Sequence, residues 1–595
     1  MKNALISVSD KTGIIQLAKF LTDNNHRILS TGGTYKYLKN HVPAGQIEQI
    51  SNFTGFPEIL GGRVKTIHPK IHGGILARRN NKNDMKELSE NNIHKIDAVI
   101  TNLYPFSKEH SLDKAIELID IGGHTLIRAA AKNFNDVLVI TKPDDYDWIM
   151  ENYDHITPEN RRELATKAFK HIAEYDAMIY EYFSPGIHTR FYRKEFSLKY
   201  GSNPHQSEAG LYGFGGGSHP TSMAKADFPL KILNGKPGYI NMLDGLYGWQ
   251  LVSDLRKATG RSAATSYKHN SPAGAAISQP LSAVLSKVYD VENRKLSNLA
   301  QAYIRARNAD PLSSFGDFIA LSDKVDVCTA KLIKREVSDG IIAPGYDAEA
   351  FKILSSKKGG KYVVIEVDPN YCFEGNLEFR EMMGIGLAQT PDRRQFTKES
   401  LKNVVTKDKL NLSENDELNL LVANICLKYT QSNSVAFAAD GQVIGVGAGQ
   451  QNRVDCVKLA RRKAEMWFLR QHPKVLNLFQ LFNSKVRRQA KVNAIIQYIQ
   501  GFNTTTERDN WKKVFKTVPP ELTILEKSKF LKELDGVALA SDAFFPFRDS
   551  IDVVEGCGIK VVSQPGGSIA DKSVIEACNK YGIKMCFTEH RLFCH

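Results

Sequence analysis

A lysine and a histidine stand side by side at 268 and 269, inside Ser-Tyr-Lys-His-Asn-Ser-Pro-Ala-Gly (266–274), a polar break after the helix-like stretch 244–259. An imidazole exchanges a proton near neutral pH and an ammonium holds developing negative charge. Lys268 and His269 therefore supply two of the groups that an acyl-type transfer needs. Taken alone, the dipeptide more commonly means a solvated lysine beside a packed histidine. Acid work by a lysine would further need burial or a neighbouring cation.

A second group of candidates lies near the N-terminus. Ser7-Val8-Ser9-Asp10-Lys11-Thr12-Gly13 and Ser30-Thr31-Gly32-Gly33-Thr34 each follow a short apolar run. Their small hydroxyl residues and glycines let backbone amides approach a phosphate closely; each segment alone reads equally well as a capped turn. Gly61 to Pro69 adds Arg63, Lys65 and Thr66 in a turn-rich stretch, while Asn102-Leu103-Tyr104-Pro105 and Ile119-Asp120-Ile121-Gly122-Gly123 end apolar segments with polar groups. Such groups could read a base or move protons.

The elements that must hold these residues follow from apolar patterning. In the first 195 or so residues, 4–8, 27–29, 98–101 and 137–140 read as buried strands. Between them, 12–21, 113–119 and 122–132 read as helices, an alternation that predicts a parallel sheet covered on both faces, a three-layer α/β domain. Thr157 and Pro158 form a cap and first turn for a long helix ending near Phe183. Phe183-Ser-Pro-Gly and the mixed charge after it mark a linker, giving domains 1–196 and 197–595. Downstream, 434–438 and 443–446 flank Asp440-Gly441, a hairpin signature, and a glycine-rich turn leads into a helix over 455–470. A polar, helical connector covers 471–535, and strands resume at 536–540 and 559–562.

Bulk properties narrow the class. The chain has 595 residues, 42% hydrophobic and 24% charged, values of a soluble globular protein with three or more folding units. Its net charge of +14 suits nucleic acid, acidic membranes or phosphorylated small molecules. Zinc-finger spacing, an RNA-recognition aromatic signature and long basic tracts are missing, which favours small phosphorylated substrates over nucleic acid. The eight cysteines show no C-x-x-C and no zinc-ligand spacing, so reduced thiols are expected. The N-terminus lacks the apolar core of a secretory signal, and no window approaches ~18 uninterrupted apolar residues, which predicts a cytosolic enzyme without a membrane anchor. Gly445-x-Gly447-x-Gly449 breaks the dinucleotide fingerprint at Gln450, and Gly360-Lys361-Tyr362 fails the P-loop pattern.

Several longer runs accompany the Lys-His pair. They are Leu-Lys-Tyr-Gly-Ser-Asn-Pro-His-Gln (198–206), Pro-Leu-Ser-Ser-Phe-Gly-Asp-Phe (311–318), Ser-Asp-Gly-Ile-Ile-Ala-Pro-Gly (338–345), Tyr-Thr-Gln-Ser-Asn-Ser-Val (429–435) and Ser-Asp-Ala-Phe-Phe-Pro-Phe-Arg-Asp (541–549), with the tail Arg591-Leu592-Phe593. Together they closely resemble the transformylase half of a bifunctional purine-biosynthesis family. That family joins 5-aminoimidazole-4-carboxamide ribonucleotide (AICAR) formyltransferase to inosine monophosphate (IMP) cyclohydrolase. The first 190 or so residues resemble its cyclohydrolase half, so the likeness spans essentially the whole chain.

The resemblance implies an N-terminal methylglyoxal-synthase-like α/β domain and a larger α/β region of two cytidine-deaminase-like subdomains, although no repeat is visible in the residues. It implies phosphate contacts at Ser9, Lys11, Thr31, Gly32, Arg63, Lys65 and Thr66, and base contacts at Asn102, Asp120, Ile121 and Gly122. Chemical roles fall to Lys65, Tyr104, Asp120 and Lys132. In the larger half, His269 is implied as the base on the AICAR amine, with Lys268 stabilising charge or returning a proton to the folate nitrogen. Asn433 belongs at the reaction centre, Tyr200 and Arg591 on the nucleotide phosphate, and Phe315, Gly316, Asp339, Asn241 and Arg453 around the substrates. Phe544, Asp549 and Ser568 would line the folate side. The formyl donor implied is 10-formyltetrahydrofolate, a co-substrate, and neither step calls for a metal or redox cofactor. A homodimer with transformylase sites at its interface is likewise implied.

Two departures from the family pattern stand out: Thr31 replaces the commoner serine and keeps the hydroxyl, while Lys199 replaces the usual arginine. Lys199 retains charge and loses the planar two-pronged phosphate contact, which predicts weaker nucleotide binding unless Arg591 compensates. Phe544, Phe545 and Phe547 fit core packing equally well. Two other functions are weighed. A methylglyoxal-synthase-like lyase fused to a deaminase would need zinc held by H-x-E and P-C-x-x-C, which this chain lacks. A basic nucleic-acid-binding protein would need the recognition motifs already found missing.

Overall fold

The computed structural model describes residues 1–214, 228–372, 377–407 and 412–595. These divide into two compact units, the first built mainly from residues 1–193 and the second mainly from 194–211 and 228 onward.

The first unit holds one five-stranded parallel sheet: β1 (Lys2–Val8), β2 (His26–Ser30), β3 (Ile47–Gln49), β4 (Ala98–Asn102) and β5 (Leu138–Ile140), in the order β3-β2-β1-β4-β5. β4 and β5 are buried throughout, which is why they read as near-continuous apolar runs. Of the five strands, β3 was not legible as one. The order reverses beside β1, so the carboxyl ends of β1 and β4, where Val8 pairs with Asn102, form the crevice in which such sheets take ligands. The long helix spans Pro158–Phe183. Thr157 accepts the Asn160 amide and Asn160 accepts the Thr157 amide, a reciprocal cap that fixes its start.

The second unit is organised around an eleven-stranded mixed sheet. After β6 (Tyr192–Ser197) and β7 (Gly210–Phe214) come β8 (Leu230–Asn234), β9 (Ala263–Lys268), β10 (Ser271–Ile277), β11 (Asp317–Leu321), β12 (Ser338–Ala343) and β13 (Val363–Val367). Then follow a small hairpin of β14 (Glu378–Met382) and β15 (Ile385–Gln389), and β16 (Val435–Ala439), β17 (Gln442–Gly447), β18 (Val537–Ser541), β19 (Ile559–Gln564) and β20 (Lys584–Phe587). The large sheet runs β20-β19-β18-β16-β17-β10-β9-β11-β12-β13-β8.

This order contains the repeat that the residues hide. In each half a long helix (Tyr239–Thr259 or Glu414–Lys428) leads into an antiparallel hairpin (β9–β10 or β16–β17). The first strand of that hairpin pairs antiparallel with a strand that begins a parallel run, β11-β12-β13 in one half and β18-β19-β20 in the other. The halves meet antiparallel at β10 and β17. Side chains alternate between two cores: in β11, Ile319 and Leu321 pack on one face, Phe318 and Ala320 on the other. Helices 473–481, 488–500, 505–512 and 524–531 make up the expected connector and share a cluster around Trp511, Phe482 and Phe515.

One expectation needs correcting. The segment around Lys268 and His269 is no polar break. Ala263–Lys268 is a strand whose first five residues are buried, and His269-Asn270 is the two-residue tip of the β9–β10 hairpin. Thr265 and Ser266 are buried because their hydroxyls are satisfied, by the Gly274 carbonyl and by Ser314 and Asp317.

Candidate active sites

In the first unit the phosphate-type segments lie on one sheet edge. Asn102 Oδ1 accepts the amides of Ser9 (2.6 Å) and Asp10 (3.0 Å), which fixes the turn after β1. Lys11 Nζ folds back to the Ser9 carbonyl at 3.4 Å, and Ser7 Oγ lies 3.1 Å from Thr31 Oγ1. The Gly32 amide, expected to hold phosphate, donates to the Glu58 carboxylate at 3.1 Å. A carboxylate there marks the position as one that accepts an anion.

Thr66 is 1% exposed, and its Oγ1 has no hydrogen-bond partner among the described residues. A Cβ at Gly122 would come within 2.8 Å of that oxygen, so glycine is what leaves the hydroxyl room. Asp120 accepts the Gly123 amide at 2.6 Å, and its own amide donates to Tyr175 Oη at 2.9 Å. Burial pushes the Asp120 carboxyl up, opposed by the amides of Gly123 and Tyr104 and by the charge of Lys65. Lys65, Thr66, Tyr104, Asp120 and Gly122 thus belong to one neighbourhood. Ile121 is exposed beside them, and Arg63 is exposed and paired with Glu117.

Lys132 is not brought to this group by its own helix. It ends Gly122–Lys132, about 15 Å along the axis from Gly122 at 1.5 Å per residue, and it is exposed. A cavity of about 360 Å³ adjoins Asn102 and Tyr104 and is walled by residues that sequence reasoning passed over, among them Lys142, His171 and Glu174. Burial lowers His171 to about 4 and raises Glu174, so each disfavours its charged form. They lie inside the long helix, where nothing in the sequence distinguishes them from core-facing polar residues.

In the second unit Lys268 ends β9, and its Nζ donates to the Phe315 carbonyl at 2.6 Å. Gly316 follows at φ +76°, with room toward that ammonium. His269 (φ 53°) and Asn270 (φ 57°) are both left-handed, as a two-residue hairpin loop requires, at a cost of ~1–2 kcal/mol per non-glycine residue. This turn leaves His269 exposed at the sheet edge.

Behind the turn lies Asp244, 4% exposed, which sequence reasoning did not single out. Its carboxylate accepts the Asn270 amide at 2.8 Å. Burial pushes it up to about 6, against the opposing pull of the Asn270 amide and His269. Its only sequence signature is an acid on the apolar side of a helix.

Asn433 precedes β16. Its Oδ1 accepts Arg453 Nη2 at 2.8 Å, and its Nδ2 donates to the Gln450 carbonyl at 2.9 Å. Arg453 is buried and paired with fully buried Asp542, which also accepts Ser432 Oγ (2.7 Å) and the Ser434 amide (2.9 Å). Arg453 therefore orients Asn433 through its other guanidinium nitrogen. The chain end closes on this knot: Leu592 N donates to the Asp542 carbonyl at 2.8 Å, and Ser432 N to the Cys594 carbonyl at 3.0 Å. Arg591 stacks on Phe593 at 4.4 Å and is exposed. Gln431 N donates to Ser271 Oγ at 3.3 Å, which ties the Asn433 loop to the Lys268-His269 hairpin.

Lys199, Tyr200 and Asn241 form a third group. Lys199 Nζ sits 5.3 Å from the Tyr200 ring centre, the Tyr200 carbonyl accepts the Tyr239 amide, and Asn241 accepts the Gly238 amide at 3.0 Å. Asp339 is the second residue of β12 and pairs with Lys358 at 2.7 Å. At the ends of β18 and β19, Phe545 is buried while Phe544 and Phe547 are exposed, so the aromatic trio divides between core and surface. Asp549 opens the short helix Asp549–Asp552, and Ser568 caps its turn by accepting the Ala570 amide at 3.1 Å. The edge bearing His269 thus combines the amino ends of β11 and β12 with the carboxyl ends of β18 and β19. Among the described residues, no group of three or more His, Cys, Asp or Glu side chains is placed to hold a metal ion.

Comparison with known proteins identifies the family. A model of the AICARFT/IMPCHase bienzyme family matches residues 130–463, and one of MGS-like domains matches 13–125. The bifunctional purine biosynthesis protein PurH of Oenococcus oeni is 36% identical over 609 positions, covering 100% of both chains. The chain belongs to the AICARFT/IMPCHase bienzyme family. PurH of Aquifex aeolicus is also 36% identical, over 610 positions, and that of Clostridium botulinum 34% over 614, again with 100% of each chain covered. Within the bienzyme, the MGS-like match falls on the parallel-sheet unit and leaves the mixed sheet to the other region. Among the described residues no helix is long and apolar enough to cross a membrane.

Proposed function

We propose that this bienzyme formylates AICAR with 10-formyltetrahydrofolate in the region 197–595 and closes the product, FAICAR, to IMP in the region 1–196. In the first step the AICAR amine attacks the formyl carbon. His269 accepts the amine proton as the new C–N bond forms, and the bond to the folate nitrogen then breaks as that nitrogen takes up a proton. Lys268, held by the Phe315 carbonyl, offers its remaining N–H groups to the tetrahedral oxyanion. Asp244 stabilises the imidazolium that results. Asn433, oriented by Arg453, donates its free N–H to the reacting centre. Tyr200, Lys199 and Arg591 hold the phosphate, Asn241 and Asp339 the rest of the nucleotide, and Phe315, Gly316, Phe544, Asp549 and Ser568 the folate.

In the second step the carboxamide nitrogen attacks the formamide carbonyl and water departs. Lys65 stabilises the oxyanion, Asp120 and Tyr104 move protons, and Ser9, Lys11, Thr31, Gly32, Arg63 and Thr66 bind the phosphate. Asn102, Ile121 and Gly122 meet the base. Lys132 joins this site only if brought there from outside its own helix's reach. The reading extends to a cytosolic homodimer whose transformylase sites lie at the interface.

The observation that carries the proposal is the hairpin tip, where His269 and the anchored Lys268 stand at one sheet edge with Asn433 tied to them. The test is separation of the two steps in the full chain. His269→Ala should lose formyl transfer by at least ~100-fold while cyclisation of supplied FAICAR continues at the normal rate, and Asp120→Asn should do the reverse. Loss of both activities in either folded variant would refute the division.

A further inference from the structure

A second cavity, of about 260 Å³, lies in the larger unit away from the Lys268-His269 edge, where the connector helices meet β-sheet-covering helices. Its polar lining is one-sided: Arg294, Arg335, Arg470, Arg488 and Lys491 face it against a single carboxylate, Asp290. Phe479, Val492, Ile495 and Ile496 supply an apolar wall. Asp290 is shared between Arg335 and Arg488. Arg470 is 5% exposed, yet among the described residues its guanidinium donates only to Asn308, at 2.6 and 3.1 Å. Among the described residues neither Arg470, Arg294 nor Lys491 pairs with a carboxylate. A buried guanidinium without an anion is costly, and one facing a cavity invites the missing charge from a ligand.

The cavity is also wired to the reaction edge. Arg488 Nε meets Glu336 Oε1 at 2.8 Å, and Glu336 Oε2 meets Arg307 Nε at 3.3 Å. Arg307 Nη1 donates to Asp317 Oδ1 and to the Ser314 carbonyl, both at 2.8 Å. Asp317 accepts Ser266 Oγ at 2.6 Å, two residues before Lys268, and Ser314 precedes the Phe315 carbonyl that anchors Lys268. Arg307 and Asp317 are 3% and 0% exposed, so the chain of ion pairs is shielded from solvent for most of its length.

We propose that this cavity is a regulatory site for a small phosphate monoester, separate from the two nucleotide sites. The phosphate dianion would lie among Arg470, Arg488 and Lys491, where planar guanidinium groups match its oxygens. A compact apolar substituent would lie on Phe479 and Ile495. The volume falls near the low end for ligand cavities, which limits the ligand to a compact molecule. By drawing Arg488 toward itself the ligand shifts the sharing of Glu336 with Arg307, and so the anchorage of Lys268.

The experiment titrates the full-length chain with phenyl phosphate while AICAR and IMP saturate both nucleotide sites. The expected result is one phenyl phosphate per chain, inorganic phosphate at least tenfold weaker, and at least a twofold change in formyl-transfer rate on saturation. Lys491→Glu should weaken binding tenfold or more and abolish that rate change, leaving the rate without phenyl phosphate as it was, whereas Arg488→Gln should weaken binding tenfold or more and, by freeing Glu336, itself change the rate without phenyl phosphate. The proposal is overturned if the wild-type chain does not bind, if both variants bind as well as wild type, or if binding leaves formyl transfer unchanged.

Discussion

Replacing Asp244 by asparagine isolates what a buried carboxylate does behind a catalytic turn. The folded carboxyl titrates at about 6 against 3.8 for an ordinary aspartate. The displacement of 2.2 units corresponds to about 3 kcal/mol at ~1.36 kcal/mol per unit. The sign follows from proton binding. Between pH 4 and 6 the folded protein holds a proton that the unfolded chain has released, so stability falls as pH rises through that window. Asparagine removes this dependence and still offers an oxygen to the Asn270 amide. Finding an acceptor for its NH₂ group costs ~1–2 kcal/mol. Asp244→Asn should therefore gain about 1–2 kcal/mol at pH 8 relative to wild type and lose that advantage near pH 4. Formyl transfer should drop ~10–100-fold, the ~1–3 kcal/mol that one charge close to an imidazolium is worth at an effective dielectric near 20. Urea unfolding of both proteins between pH 4 and 8, with the formyl-transfer rate of each at pH 8, checks this. A variant equally destabilised at every pH, with an undiminished rate, would show that Asp244 is merely a scaffold.

Four further substitutions probe other parts of the account. Thr66→Val removes a buried hydroxyl without a partner, so unfolding free energy should change by less than ~1 kcal/mol, while cyclisation falls at least tenfold and formyl transfer stays intact. Arg453→Met strands the buried Asp542 carboxylate, which should cost ~3–5 kcal/mol and release Asn433. Adding Asp542→Asn should restore much of the stability and little of the formyl transfer, as a double-mutant cycle would measure. Lys199→Arg should tighten AICAR binding several-fold by supplying the two-pronged contact, and equal affinity by titration would count against a phosphate role at 199.

Elements governed by local rules were legible from the residues. Thr157 and Pro158 fix the start of the long helix, Gly122–Lys132 is the helix its pattern predicts, and Asp440-Gly441 turns the β16–β17 hairpin. The equivalent β9–β10 turn escaped notice because His269-Asn270 carries no glycine, and the buried Ser266 before it is satisfied by partners about 50 positions away. The same difference hides the internal repeat: the halves share strand order and direction, with different residues at corresponding turns. Candidate residues in the quoted runs could be assigned to a site, but their supports could not. Asp244 reaches Asn270 across 26 positions and Asp542 reaches Ser434 across 108, distances over which helix and strand periodicity carries no information. Phe545 and its exposed neighbours differ only in which side of a loop they occupy, a matter of tertiary packing.

The most direct measurement is single-turnover formyl transfer by the Lys268→Ala, His269→Ala double variant of the full chain, supplied with AICAR and 10-formyltetrahydrofolate. Correct folding would be shown by undiminished cyclisation of FAICAR and an unchanged unfolding midpoint. The account predicts a rate at least ~1,000-fold below wild type, as expected when a proton acceptor and an oxyanion contact are both removed. A folded double variant that formylates at the wild-type rate would contradict it.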